Sequence, residues 1–157
     1  MLPWQQGKRF LLIQGWQSVF SYKNDIAQDF KMKVGTPVHA ARKGVVVQVK
    51  SDGKKAGLQH KYLGEGNNVV IRHYDSTFAG YWHLKHKSVF VNVGDTVCTG
   101  DRIALSGHAG YSAFPHLHFM VFKYKNRRRK TIPIRYKTVA GVRHIRPGRR
   151  YKSVSVN

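Results

Sequence analysis

Nine histidines are many for a chain of 157 residues, and two of them sit one residue apart inside the apolar run FPHLHFMVF (114–122). The run is rich in aromatic and branched residues, so it reads as a strand, with Pro115 near its start where a missing N–H is tolerated. Side chains alternate along a strand. Leu117, Phe119 and Val121 therefore share one face, and His116 and His118 share the other. Their backbones stand roughly 7 Å apart, which lets both imidazoles converge on one small object, such as a metal ion and its water. Catalytic zinc usually takes three protein ligands from His, Asp or Glu and keeps one position for water. Cleaving a peptide also needs a group that moves protons and one that steadies the oxyanion, and imidazole serves both roles near neutral pH. A bare His-x-His is equally compatible with a strand that merely carries two polar residues outward, so the rest of the chain must decide.

The elements available to position these residues are strands. TPVHAA, GVVVQVK, NNVVIRH, TFAGYW, RIALSG and the opening run are short, branched and separated by glycine-rich turns, a mainly β pattern. No ten-residue amphipathic helix is predicted. The polar segment KSDGKKAGLQHKYLGEG (50–66) reads as a long excursion between two strands. GDTVCTGDRIALSG (94–107), with its two Gly-Asp turns, reads as a hairpin, and TIPIRY (131–136) as a final edge strand. There is no internal repeat or low-complexity linker. The length suits a single domain, 1–157, with 123–157 as a basic C-terminal extension of it.

Charge is the outlier. The chain has 28 Lys and Arg against 7 Asp and Glu, a formal net charge of +21. Asp101 is the last acidic residue, and the basic residues crowd beyond it, including NRRRK at 126–130. Such a field favours polyanions: anionic wall or surface polymers, acidic lipid, or nucleic acid without sequence preference. The single cysteine, Cys98, excludes an internal disulfide. Residues 1–16 lack the apolar core and small-residue site of a signal peptide, which leaves open a leader already removed. No apolar stretch is long enough to span a bilayer.

Taken in order, Asp29-Phe30, GTPVHAARKGVVV (35–47), NNVVIRH (67–73), YWHL (81–84), GDTVCTGDRIALSG and PHLHF (115–119) resemble the LytM/lysostaphin-type zinc metalloendopeptidases, which cut peptide bridges in bacterial cell walls. The resemblance runs from about Leu11 to Phe122, and the ordered set is far more specific than any member. It implies a compact antiparallel β-sheet or sandwich-like single domain, of the duplicated-hybrid-motif type, with a groove over one sheet face. It implies that Asp29 and His118 ligate zinc, while His83 and His116 stand beside the metal to orient water, accept its proton and steady the oxyanion. Tyr22, His108 and Trp82 are groove candidates. Peptidoglycan peptides are the implied substrate, and the implied location is periplasmic or extracellular.

The family's further ligand is a histidine shortly before the aspartate, and here its two candidate positions hold Asp25 and Tyr22. Three arrangements are open. Asp25 supplies a carboxylate in place of the imidazole; another histidine, His39 or His108, swings in; or the site holds no metal and the domain binds without cutting. Two functions follow, a zinc endopeptidase and a noncatalytic wall-binding or regulatory domain. A nucleic-acid-binding β domain is the third, disfavoured because no sequence signature of such domains is present.

Overall fold

The computed structural model describes residues 1–15 and 26–155. The first strands are β1 (Arg9–Gln14), β2 (Ala27–Lys31), β3 (Pro37–His39), β4 (Gly44–Lys50) and β5 (Ala56–Gly57). The middle of the chain forms β6 (Asn68–Arg72), β7 (Phe78–Trp82), β8 (Leu84–Val89), β9 (Thr96–Val97), β10 (Arg102–Ser106) and β11 (Gly110–Tyr111). The last third forms β12 (His116–Lys125), β13 (Arg128–Thr131), β14 (Tyr136–Thr138), β15 (Gly141–Arg143) and β16 (Arg150–Lys152). A single 3-10 helix, His60–Glu65, interrupts the strands among the described residues.

Nine strands make the main sheet, in the order β16-β1-β2-β12-β7-β6-β4-β9 with β13 on the far end of β12. A second sheet, β3-β10-β8, lies over one of its faces. Period-2 patterning explains why. The core-facing residues of the main sheet, among them Leu12, Phe30, Val46, Val69, Ile71, Tyr81, Leu117 and Phe119, are buried in one cluster with Val38, Leu84, Ile103 and Ala104 of the second sheet. Trp4 closes this core, with its ring edge-on to Phe10 and Phe30. Among the described residues, the β3-β10-β8 sheet does not cover the opposite face of the main sheet. That opposite face carries the even-numbered residues of β12, beginning with His116 and His118, so the alternation read from FPHLHFMVF holds. The mainly β, sandwich-like expectation is met.

The basic C-terminal segment completes this core. Tyr136 is buried and its hydroxyl bonds Gln28 Oε1, Ile145 joins the same cluster, and β16 pairs with β1 at the sheet's edge.

Three local expectations need correction. GDTVCTGDRIALSG is no hairpin, because β9 pairs with β4 while β10 pairs with β3 and β8. The turn at 98–101, closed by Cys98 N–H to Asp101 Oδ2 at 2.7 Å, carries the chain from one sheet to the other, which lets Val97 and Ile103 reach the core from different layers. TIPIRY is not one strand: Thr131 ends β13 and Tyr136 begins β14. Pro133, between them, has no N–H to offer a ladder. The pairing is not wholly antiparallel either, since β5 and β11 run parallel. That pair ties the 50–66 excursion to the loop before the histidine pair. Asn67 fixes the excursion's base, with its side chain bonding both backbone groups of Gly53 and the carbonyl of Leu84.

Candidate metal-dependent active site

Register brings the site together. β12 lies between β2 and β7, and His118 stands opposite Asp29 on one side and Trp82 on the other. Cross-strand neighbours share a face, so three residues distant in sequence form one row on the face opposite the core. Asp29 Oδ1 accepts from His118 Nδ1 at 2.8 Å and lies 3.7 Å from His116 Nε2.

His83 reaches the same place by breaking the rule that governs its neighbours. Tyr81 points into the core, where its buried hydroxyl accepts the Ala41 N–H at 2.9 Å. Alternation would send His83 the same way. Instead His83 adopts φ +61°, a left-handed backbone that costs a bulky residue about 1–3 kcal/mol. It is the joint at which the chain leaves the main sheet at β7 and enters the second sheet at β8. The twist turns its imidazole onto the site, with ring centroids 4.7 Å from His116 and 5.8 Å from His118.

Main-chain carbonyls set the tautomers. His83 Nδ1–H donates to Ala109 O at 2.9 Å, and His116 Nδ1–H donates to Phe114 O at 2.8 Å. Each ring therefore presents an unprotonated Nε2. Burial, and then the neighbouring imidazole of His116, push the His83 pKa down to about 3. Burial also lowers His116, against the Asp29 carboxylate and the Phe114 carbonyl, which raise it. Both rings are thus neutral bases at pH 7. For Asp29, burial alone would raise the pKa, but the His118 hydrogen bond and the surrounding imidazoles outweigh it, and the carboxyl lies below its ordinary value.

Nitrogens of His83, His116 and His118 lie within 4.8 Å of one another, and the Asp29 carboxylate adjoins two of these rings. One carboxylate oxygen among imidazole nitrogens is a donor set that fits zinc. Two of the rings donate their second nitrogen to a carbonyl, the usual way a ligating or catalytic imidazole is oriented.

Trp82 stands beside His118, its indole edge-on with centroids 5.9 Å apart. Gly80 is why it can. A Cβ there would stand 2.0 Å from Cζ3 of Trp82, so the bare glycine lets the indole lie along the sheet. Beyond it, Ala27, Val70, Met120 and Phe122 form a second apolar cluster packed with Phe78 and Trp82. His108 sits in the loop before the pair, with Nε2 3.1 Å from Ser112 O, and is not one of the three clustered imidazoles. His39 is elsewhere: it is on β3 of the second sheet, with Nδ1 2.7 Å from Gly100 O, which removes it as a replacement ligand. Tyr22 and Asp25 lie outside the described residues.

Sequence reasoning missed three contributors. The Ala109 and Phe114 carbonyls carry no side-chain signal. Ser112 is buried, donates to Phe114 O at 2.8 Å and stands 3.3 Å from His116 Nδ1; its proximity to the His pair in GHAGYSAFPH was its only trace.

The fold and this cluster set a carboxylate and three imidazoles together on one β-sheet face, a donor set that could hold a cation. Residues 24–131 match Peptidase family M23, and the chain belongs to that zinc-dependent family. Over 91 residues it is 40% identical to Peptidoglycan DD-endopeptidase ShyA of Vibrio cholerae, covering 58% of this chain and 18% of that protein. The chain spans only about a fifth of the length of the curated relatives it matches. Among solved structures, a zinc-containing peptidase from Vibrio cholerae superposes with a TM-score of 0.55 at 27% identity, over 83% of this chain and 37% of that one. The catalytic domain of the prophage-encoded M23 protein EnpA from Enterococcus faecalis, an A109H mutant, gives 0.62 at 22% identity, covering 83% and 93%, and supports the fold alone.

Proposed function

We propose that this chain is a zinc-dependent endopeptidase acting on peptide cross-links of bacterial peptidoglycan, in the periplasm or outside the cell. The observation that carries the reading is the meeting of Asp29 and His118 at 2.8 Å beside two imidazoles whose Nδ1 atoms are pinned to carbonyls. Asp29 and His118 would hold the metal, with Asp25 the third ligand by its place before Asp29. Bound there, zinc supplies a Lewis acid for the scissile carbonyl and makes water a stronger nucleophile.

The protein's own groups do the rest. Asp29 stays ionised and keeps His118 oriented. His83 and His116, neutral at pH 7, offer Nε2 to the proton released from attacking water, and either ring, once protonated, donates it to the leaving amine. A protonated ring also steadies the oxyanion. The left-handed backbone at His83 and the Phe114 carbonyl behind His116 hold both bases in place before substrate arrives. Trp82 and the apolar cluster beyond it give the peptide a surface to lie on.

The test is digestion of purified peptidoglycan with one equivalent of zinc, with and without chelator. Release of new amino termini that stops with chelator and with Asp29→Asn supports the reading; no release under any zinc loading overturns it. Asp25 at the position where the family carries histidine favours a second reading, a domain that binds wall peptides without cutting. It predicts peptide binding in the same assay without hydrolysis.

A further inference from the structure

Beyond Phe122 the strand β12 outruns the main sheet. Its pairing with β2 ends at Met120 and that with β7 at Phe122, so residues 123–125 pair only with β13. The result is a two-stranded ribbon, exposed from Lys123 to Lys130. Its cross-strand pairs are Lys123 with Lys130 and Lys125 with Arg128. Both pairs face the same way, so four cations stand on one side of the ribbon in two like-charged rungs. Like charges directly opposed destabilise a ribbon.

The turn repeats this choice. Asn126 and Arg127 have φ +51° and +60°, the double left-handed turn in which Asn-Gly is the favoured pair. Arginine occupies the glycine's place. Among the described residues no carboxylate follows Asp101, and the earlier ones are engaged locally: Asp52 with Lys50, Asp75 with Arg42, and Glu65 with the backbone of Lys54. A recess of about 550 Å³ lies at the ribbon's edge, lined by Lys125, Asn126, Arg128, Arg129 and Lys130. Lysine on an exposed edge strand also guards against edge pairing. Both strands of the ribbon are edges beyond Phe122, so that role covers its lysines, but it does not require Arg127 in the turn. A sequence that accepts repulsion and a strained turn to concentrate cations is built for an anion.

We propose that this ribbon is a docking face for a phosphodiester polymer of the cell wall, a polyol-phosphate chain lying across Lys123, Lys125, Arg128 and Lys130. The choice of polymer rests on the wall-hydrolase reading; the anion site itself does not. The cationic side bears no aromatic ring. Phe122 and Tyr124 lie on the other side, packed with Phe78, which disfavours single-stranded nucleic acid, whose bases need stacking platforms. The tip, Asn126-Arg127, has no apolar anchor for a bilayer. Lys125 lies seven residues beyond His118 on β12, about 24 Å along the strand, and its odd parity turns the cationic side away from the face that carries His118, so a docked polymer anchors the domain without covering the site.

The test is binding of the intact protein to purified poly(glycerol phosphate), with DNA of equal charge and anionic-lipid vesicles as competing probes. Four phosphate contacts predict a slope of log K against log salt near −2.8, about a fifty-fold weakening between 50 and 200 mM salt. Arg128→Glu/Lys130→Glu should weaken binding more than tenfold, with a thermal midpoint equal to or above wild type because repulsion is relieved. Lys123→Gln/Lys125→Gln should weaken it in the same direction without charge reversal. Asp29→Asn should leave polymer binding intact, which separates this test from that of the peptidase reading. No binding, binding unchanged in both double variants, or tighter binding to DNA or vesicles at equal salt would each overturn the proposal.

Discussion

The depressed pKa of His83 makes a prediction about stability that does not depend on catalysis. An unfolded histidine has a pKa near 6.5, whereas His83 in the folded chain is held to about 3. Between these values the unfolded state binds the proton and the folded state does not, so stability is full above pH 6.5 and falls as pH drops toward 3. At pH 5 the unfolded ring is almost wholly protonated and the folded one almost wholly neutral, which amounts to a loss of about 2 kcal/mol relative to pH 8. The perturbation is His83→Asn. Asparagine tolerates the left-handed backbone, retains a donor toward Ala109 O and does not titrate. Urea unfolding of chelator-treated protein at pH 8 and pH 5 is the assay. The wild type should lose about 2 kcal/mol more than the variant over this interval. His73, lowered by burial, acts in the same direction in both proteins and cancels; His116, also lowered by burial, keeps that direction in both, and its ring contact with His83 makes the comparison a measure of the coupled pair. Asp29 titrates below the window. Equal losses in wild type and variant would refute the reasoning, because His83 would then be free to take up a proton in the folded state.

Other consequences are local. Asp29→Asn removes the carboxylate shared by His118 and His116; zinc affinity, read by competition with a chromophoric chelator, should fall by more than the 10–100-fold typical of losing a mere orienting partner. Gly80→Ala places a methyl where the Trp82 ring lies, so tryptophan emission should shift as the indole leaves the sheet, with about 1–3 kcal/mol lost in urea unfolding. Tyr81→Phe leaves the Ala41 N–H buried without its acceptor, and the same unfolding assay should show a loss of about 1–3 kcal/mol.

Much of this site was legible because strands obey a simple alternation. His116 and His118 on one face, with Leu117 and Phe119 on the other, follow from period 2 alone, and the order of motifs identified Asp29 and His83 as their companions. Alternation could not place His83, since its side chain arrives through a positive φ that no pattern of polar and apolar residues encodes. The supposed hairpin at 94–107 failed for a related reason: glycine turns announce a change of direction but not which sheet receives the next strand. Ser112 and the two orienting carbonyls were hidden because their contribution is positional. The ribbon at 123–130 was visible as charge, yet its like-charged rungs appear only once β12 and β13 are in register.

The measurement that bears most directly on the central claim is the zinc content of untagged protein, by elemental analysis, alongside Asp25→Ala, Asp29→Asn and His118→Ala. Close to one zinc per chain in the wild type, lost in all three variants, is the predicted result. No zinc after incubation with excess metal would contradict it, leaving a wall-binding domain on a peptidase scaffold.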